Sequence, residues 1–268
     1  MTNPITVIRC LGPKLVPFMK SVLVYFVLWL PEPSAIAALV KILPIISLAA
    51  FVIMHGVKLP RNLTMHRFCY GILAGLVFSC IGDIFLVFNE AYFIHGLLAF
   101  AIAQLIYAIN FGFKPFKWSV LLVCTAVGMS SYILMYPGLF GPMIYLAGVY
   151  IALILYMIWR AVARLQFFEK RWTWSKLAGS LGAVCFAISD LTLGINKFVF
   201  PVPYVRAIVM FTYYAAQLGI VLSVVDYHRI DDVTKDSGDD NRKCVDVNTN
   251  ETVIAKTNGF RKEHIKVE

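Results

Sequence analysis

Charge is scarce in this chain, and acidic charge is nearly missing from most of it. Of 268 residues, 15% are charged, and only five acidic residues precede Asp226: Glu32, Asp83, Glu90, Glu169 and Asp190. Metal-binding patterns are missing too. The six cysteines (Cys10, Cys69, Cys80, Cys124, Cys185 and Cys244) form no CxxC pair and have no histidine at zinc-ligand spacing, so neither a metal centre nor a disulfide framework is expected. Most of them fall in apolar runs, where cysteine acts as a small hydrophobe. No cleavable leader stands out, because the first apolar run, residues 15–30, contains Lys20 and lacks a small-residue cleavage site. The first span is expected to serve as the internal targeting signal. No basic patch interleaved with aromatics occurs either. The formal charge of +9 sits on short segments between apolar runs, while the stretch from Tyr227 onward balances eight Lys/Arg against nine Asp/Glu. Nucleic acid is therefore not an expected partner.

What the chain has in abundance is apolar surface. Its composition is 60% hydrophobic and its mean hydropathy is +0.76. A water-soluble domain of this length leaves too much of its chain facing solvent to hide that surface. The solvent for most of it must be lipid. At about 20 residues per crossing, eight spans are expected, over 14–30, 35–54, 67–88, 91–110, 117–136, 142–161, 174–196 and 204–226. The interruptions carry turn chemistry, as in Pro31-Glu32-Pro33, Lys114-Pro115, Pro137-Gly138 and Pro201-Val202-Pro203. The expected fold is an all-α polytopic membrane helix bundle of residues 1–226, followed by a disordered cytosolic tail, 227–268.

Positive residues fall on alternate connections: Arg9 and Lys14 before span 1, Lys58, Arg61 and Arg67 between spans 2 and 3, Lys114 and Lys117 between spans 4 and 5. Arg160, Arg164, Lys170 and Arg171 lie between spans 6 and 7. By the positive-inside rule both termini are cytosolic, in keeping with an even number of spans. The Asn62-Leu63-Thr64 sequon then lies on the cytosolic side and is expected to stay unmodified. Gly82-Asp83 and Ser189-Asp190, each followed in the next span by Ala-Gln-Leu (103–105 and 216–218), hint at two parallel four-helix repeats.

Three of the five acidic residues lie in loops or at span ends, where charge is cheap. Asp83 and Asp190 do not. An ionised carboxylate deep in a bilayer costs about 2.5–3.5 kcal/mol on insertion scales. The plain reading is a neutral, hydrogen-bonded group that holds helices together. Two such residues at matching depth point further, since each lies about sixteen residues past its span's start and both spans run in the same direction. If the spans are neighbours, the carboxyls share a cavity. Repulsion then leaves one protonated and one ionised, a ready acid and base. Arg206, Tyr213 and Gln217 form one stripe on span 8, with Tyr214 beside it. Lys197 is two turns beyond Asp190, and Lys41 is about six residues into span 2. The plainer readings are interfacial snorkelling for Arg206 and Lys197 and packing for the tyrosines.

These residues lie in stretches that resemble the lysoplasmalogenase family, the YhhN-like polytopic membrane hydrolases, most closely its animal members. The matching stretches are Gly12-Pro13-Lys14-Leu15-Val16-Pro17-Phe18, Gly82-Asp83-Ile84-Phe85-Leu86 and Tyr92-Phe93-Ile94-His95-Gly96. Ser189-Asp190-Leu191, Asn196-Lys197-Phe198 and Tyr213-Tyr214-Ala215-Ala216-Gln217 also match. The resemblance covers roughly residues 5–226. It implies hydrolysis of the vinyl ether bond of lysoplasmalogens within the bilayer of the endoplasmic reticulum, with catalysis by Asp83 and Asp190. No metal or organic cofactor is needed. The acid protonates a vinyl ether carbon, and water captures the resulting oxocarbenium ion. Tyr213, Gln217 and Asn196 are candidates to orient the water, and Lys41, Lys197 or Arg206 to hold the phosphate. The rival readings are a proton-coupled transporter, whose mark is helices broken around the carboxylates, and an intramembrane aspartyl protease. The protease is disfavoured by Cys80 where a glycine is usual and by Ser189 where a tyrosine is usual.

Overall fold

The computed structural model describes residues 4–56, 63–165 and 173–225. Within them the chain forms eight α-helices: α1 (Pro4–Leu28), α2 (Ala35–Gly56), α3 (Leu63–Val87), α4 (Asn89–Phe111), α5 (Trp118–Met135), α6 (Met143–Ala163), α7 (Trp174–Phe198) and α8 (Val205–Leu222). The expected tail and the Asn62 sequon position lie outside the described residues. α2 to α8 are each long and apolar enough to cross a membrane, so this is a multi-pass membrane protein of the all-α class. α1 continues that pattern with an outward apolar face of Met19, Leu23, Val27 and Leu28. The helix ends sit close to the expected spans. The main differences are that α1 starts ten residues earlier and runs through Pro13 and Pro17, and that α8 ends at Leu222.

Apolar side chains cover the outer faces, and the interior adds a set of polar groups to an apolar core that includes Ile45, Leu48, Ile72, Leu76 and Phe186. Exposed side chains include Leu122, Ile133, Leu181 and Phe211, while Ser79, Gln104, Ser180, Ser189 and Gln217 are buried. With lipid outside, apolar residues stand on both faces, and helices associate through close packing and hydrogen bonds. The glycines of α3 and α7 are close helix contacts rather than helix breaks. A Cβ on Gly182 would lie 2.7 Å from the carbonyl oxygen of Ala216 and from the amide nitrogen of Ile220, and one on Gly219 would lie 2.6 Å from the carbonyl oxygen of Ala178. The backbones of α7 and α8 therefore touch. On α3, Gly82 makes room for the Phe100 ring of α4.

Within residues 4–111, α1 packs on α2, α2 on α3 and α3 on α4; within 118–222, α5 packs on α6, α6 on α7 and α7 on α8. The two sets meet through α2 against α8 and α4 against α6. The two sets thus share one order of neighbours, in which α3 and α7 hold equivalent places. Arg160, read from sequence as a loop cation, is instead buried at 1% exposure near the end of α6. Its Nε donates to the Gly112 carbonyl (2.6 Å) and its Nη1 to the Pro115 carbonyl (3.3 Å), which clasps the α4–α5 connection. The burial follows from those carbonyls, which a turn leaves without helical partners.

Candidate active site

Asp83 and Asp190 come together. Both line one cavity of about 200 Å³, enclosed by α2, α3, α4, α7 and α8. Each carboxylate lies within electrostatic range of the other. The cavity opens toward the end of the bundle where α3 and α7 finish and α2 and α8 begin, for it is bordered there by Glu32, Asn196 and Arg206. Below the carboxylates, the rings of Phe100, Phe186 and Tyr213 meet edge to face with centroids 5.8–6.0 Å apart, a packed floor beneath them.

The two carboxyls are held differently. Asp83 is 2% exposed, and its Oδ2 accepts a hydrogen bond from the Tyr213 hydroxyl at 2.7 Å. Lys41 of α2 lines the same cavity and acts electrostatically on Asp83. Its side chain is 7% exposed, and among the described residues its ammonium has no hydrogen bond or ion pair. At Asp190, Oδ2 accepts two bonds, one from Gln104 Nε2 at 2.9 Å and one from the Tyr150 hydroxyl. Gln104 is fully buried, and its Oε1 is left without a partner among the described residues, an open acceptor beside the carboxyl. Neighbouring Ser189 donates to the Val209 carbonyl at 3.1 Å and pins α7 to α8 at this level.

Asp190 also lines a second space, of about 330 Å³, between α4, α5, α6 and α7. This one is apolar, bounded by residues such as Phe93, Cys124, Met135, Ile154 and Val184. Asp190 and Leu193 lie on the walls of both, and Asp190 is the one carboxyl of the pair that does.

The other expected site residues divide. Lys41, Asn196, Arg206 and Tyr213 line the polar cavity. Asn196 and Arg206 are already engaged at its rim. The Val202 amide donates to Asn196 Oδ1 (3.0 Å), and Arg206 donates to Tyr25 Oη (3.1 Å) and the Leu30 carbonyl (2.8 Å). Arg206 Nη2 also lies 3.3 Å from Glu32 Oε1. Lys197, Tyr214 and Gln217 are not brought to the cavity. The Lys197 ammonium lies 4.3 Å from the centre of the Phe93 ring. Tyr214 donates to the Lys41 carbonyl at 2.8 Å and braces α8 on α2. Gln217 is one turn too deep, accepting from Tyr107 and donating to Ser79 at 3.0 Å each. Sequence reasoning missed Tyr150 and used Gln104 only as a repeat marker. A buried mid-span amide is itself a signal, whereas Tyr150 looks like any span tyrosine until α6 and α7 are packed.

This pair of buried carboxylates, one beside a cation and one beneath two neutral donors, suits proton transfer. Residues 36–224 match the model of the YhhN family. The chain belongs to the YhhN family. Within the YhhN family its relatives include human "Lysoplasmalogenase TMEM86A", 48% identical over 84% of this chain and 94% of that protein. Pig "Lysoplasmalogenase TMEM86B" is 36% identical over 80% of this chain and 87% of the relative. Human "Lysoplasmalogenase TMEM86B" is 35% identical over 78% and 85%. No solved structure matches this YhhN-family chain.

Proposed function

We propose that this protein is a lysoplasmalogenase, a membrane hydrolase that splits the vinyl ether bond of lysoplasmalogens into a fatty aldehyde and a glycerophospho-base. The observation that carries this reading is the shared cavity, in which Asp83 and Asp190 stand with Lys41 in a chain whose relatives bear that name. A vinyl ether is stable to base and labile to acid, so its hydrolysis needs a proton donor held out of bulk water. It also needs a carboxylate to meet the cation that forms. A carboxyl pair in a low-dielectric cavity supplies both, with one member protonated and the other ionised. The Lys41 ammonium is the group best placed to attract the phosphate, with Arg206 and Asn196 shaping the rim. The rival transporter reading called for broken helices, but α3 and α7 run unbroken through their aspartates.

The test is aldehyde release from a defined lysoplasmalogen by purified protein in detergent, beside Asp83→Asn and Asp190→Asn. Release by the parent and none by the variants supports the hydrolase. Full activity in either folded variant overturns the scheme.

We also place the protein in the endoplasmic reticulum membrane, with α1 as an eighth span and both termini cytosolic. This rests on the basic residues of alternate connections and on the apolar outer face of α1. Terminal epitope tags that stay closed to antibody until the plasma membrane and endoplasmic reticulum are both permeabilised would contradict it.

A further inference from the structure

The polar cavity leaves the lipid's hydrocarbon unaccounted for. It is about 200 Å³ and is floored by packed aromatic rings, so a long chain cannot continue through it. The apolar space on the other side of Asp190 is about 330 Å³, within the ~300–1,000 Å³ range of ligand sites. It runs along α6 from Met143 to Ile158. Fifteen residues at ~1.5 Å each make that roughly 22 Å. Tyr150, which holds Asp190, lies about midway, so roughly 12 Å of apolar wall extends past the carboxyl toward Ile158. α5 closes this space loosely. Its buried residues are only Cys124, Gly128 and Met135, and Gly128 makes room for the Leu155 side chain. A loosely seated helix between an apolar chamber and the bilayer is a fitting route for a lipid chain.

We propose that this chamber binds the alkenyl chain of the substrate, so that the vinyl ether lies across Asp190 with its glycerol end in the polar cavity. The inference rests on the hydrolase reading and gives each carboxyl a role. The vinyl carbon that takes the proton is the one farther from the ether oxygen, on the chain side. Only Asp190 faces that side. Asp190 gives its proton to that carbon, and the positive charge then rests on the ether-bearing carbon and its oxygen. Water adds to that carbon, and its released proton passes to the Asp83 carboxylate. The hemiacetal then breaks its bond to the glycerol oxygen. Asp83 returns a proton to that oxygen, and Asp190 takes the hemiacetal hydroxyl proton. One water is consumed, aldehyde and alcohol leave, and both carboxyls regain their starting states.

The test combines chain-length kinetics with photolabelling on the full-length protein. Ala187 lies on the chamber wall one turn below Asp190, and Cys124 lies farther down on α5. Each methylene lost from a buried site weakens binding roughly fourfold. Ala187→Phe is expected to lower kcat/KM for a long-chain lysoplasmalogen at least about tenfold more than for a short-chain one. Cys124→Phe should penalise only the longest chains. The label is a saturated alkyl-ether lysophospholipid with a diazirine at the chain end, which cannot be hydrolysed and so reports binding without turnover. Crosslinks on Cys124, Ile154 or Ile158, competed by unlabelled lipid, support the chamber. Crosslinks spread over the outer faces of α1 and α2, with chain-length response unchanged in both variants, overturn it. Labelled chamber residues in a parent protein that releases no aldehyde would keep the chamber and remove the hydrolase. Aldehyde release with labels elsewhere would do the reverse.

Discussion

Asp83 and Asp190 sit on corresponding helices, α3 and α7, of two sets of four helices packed in the same order, yet their surroundings diverge. Asp83 has one tyrosine donor and a nearby lysine, and it lines only the polar cavity. Asp190 has a tyrosine and a glutamine on one oxygen, and it looks both into the polar cavity and into an apolar chamber. Two sets of helices packed in the same order thus deliver two like carboxyls to one place, and the lining residues make them unlike. The asymmetry matters because two equivalent carboxylates repel, whereas two inequivalent ones can divide the work of acid and base.

The sharpest way to break the comparison is to neutralise each carboxyl in turn. Asp83→Asn and Asp190→Asn are each expected to lower kcat by about 10²–10⁴-fold, measured as aldehyde release by protein with an unchanged elution profile. A large difference between them would show that only one carboxyl is essential. Next comes the cation. Lys41→Met should lower kcat/KM about ten- to a hundredfold, and Lys41→Arg should recover part of it, if a charge-assisted contact to substrate is lost. Unchanged kinetics in Lys41→Met would remove the lysine from the site.

Smaller effects sharpen the contrast between the two settings. Tyr213→Phe removes the one described donor to Asp83, whereas Tyr150→Phe leaves Asp190 with Gln104. Tyr213→Phe is therefore expected to lower kcat about tenfold, and Tyr150→Phe by a lesser factor. The reverse order would mean that the Tyr150 hydroxyl outweighs the amide. The smallest expected effect is structural. Gly182→Ala, with its Cβ set against α8 backbone, should destabilise the bundle by about 1–3 kcal/mol. Gly194→Ala meets only the flexible end of Met135 and should change the apparent Tm much less. Equal shifts in a detergent melting experiment would contradict the tight α7–α8 contact.

Much of this was open to reading in one dimension. Lipid as solvent fixes helix length and forces backbone hydrogen bonds inward, so apolar runs and their Pro and Gly breaks give the spans almost directly. The same scarcity of charge made Asp83 and Asp190 conspicuous. Lys41 was conspicuous for its depth, and it does line the cavity. The partner residues were less legible. Gln217 and Tyr214 share a helix and a sequence motif with Tyr213, but a rotation of about 100° per residue and one turn of depth send them to α3 and α2. Lys197 lies two turns from Asp190 on paper, yet its ammonium finds an aromatic face instead.

The amino-acid sequence by itself determined the solvent, the helices and the two carboxyls, because hydropathy and intramembrane charge are properties of composition along a line. Tertiary structure alone decided that α3 and α7 bring those carboxyls to one cavity, that Tyr150 and Gln104 hold Asp190, and that an apolar chamber begins behind it. Those outcomes depend on which helix faces which, and at what rotation and depth. Contacts between residues scores of positions apart set that arrangement, and no local pattern records it.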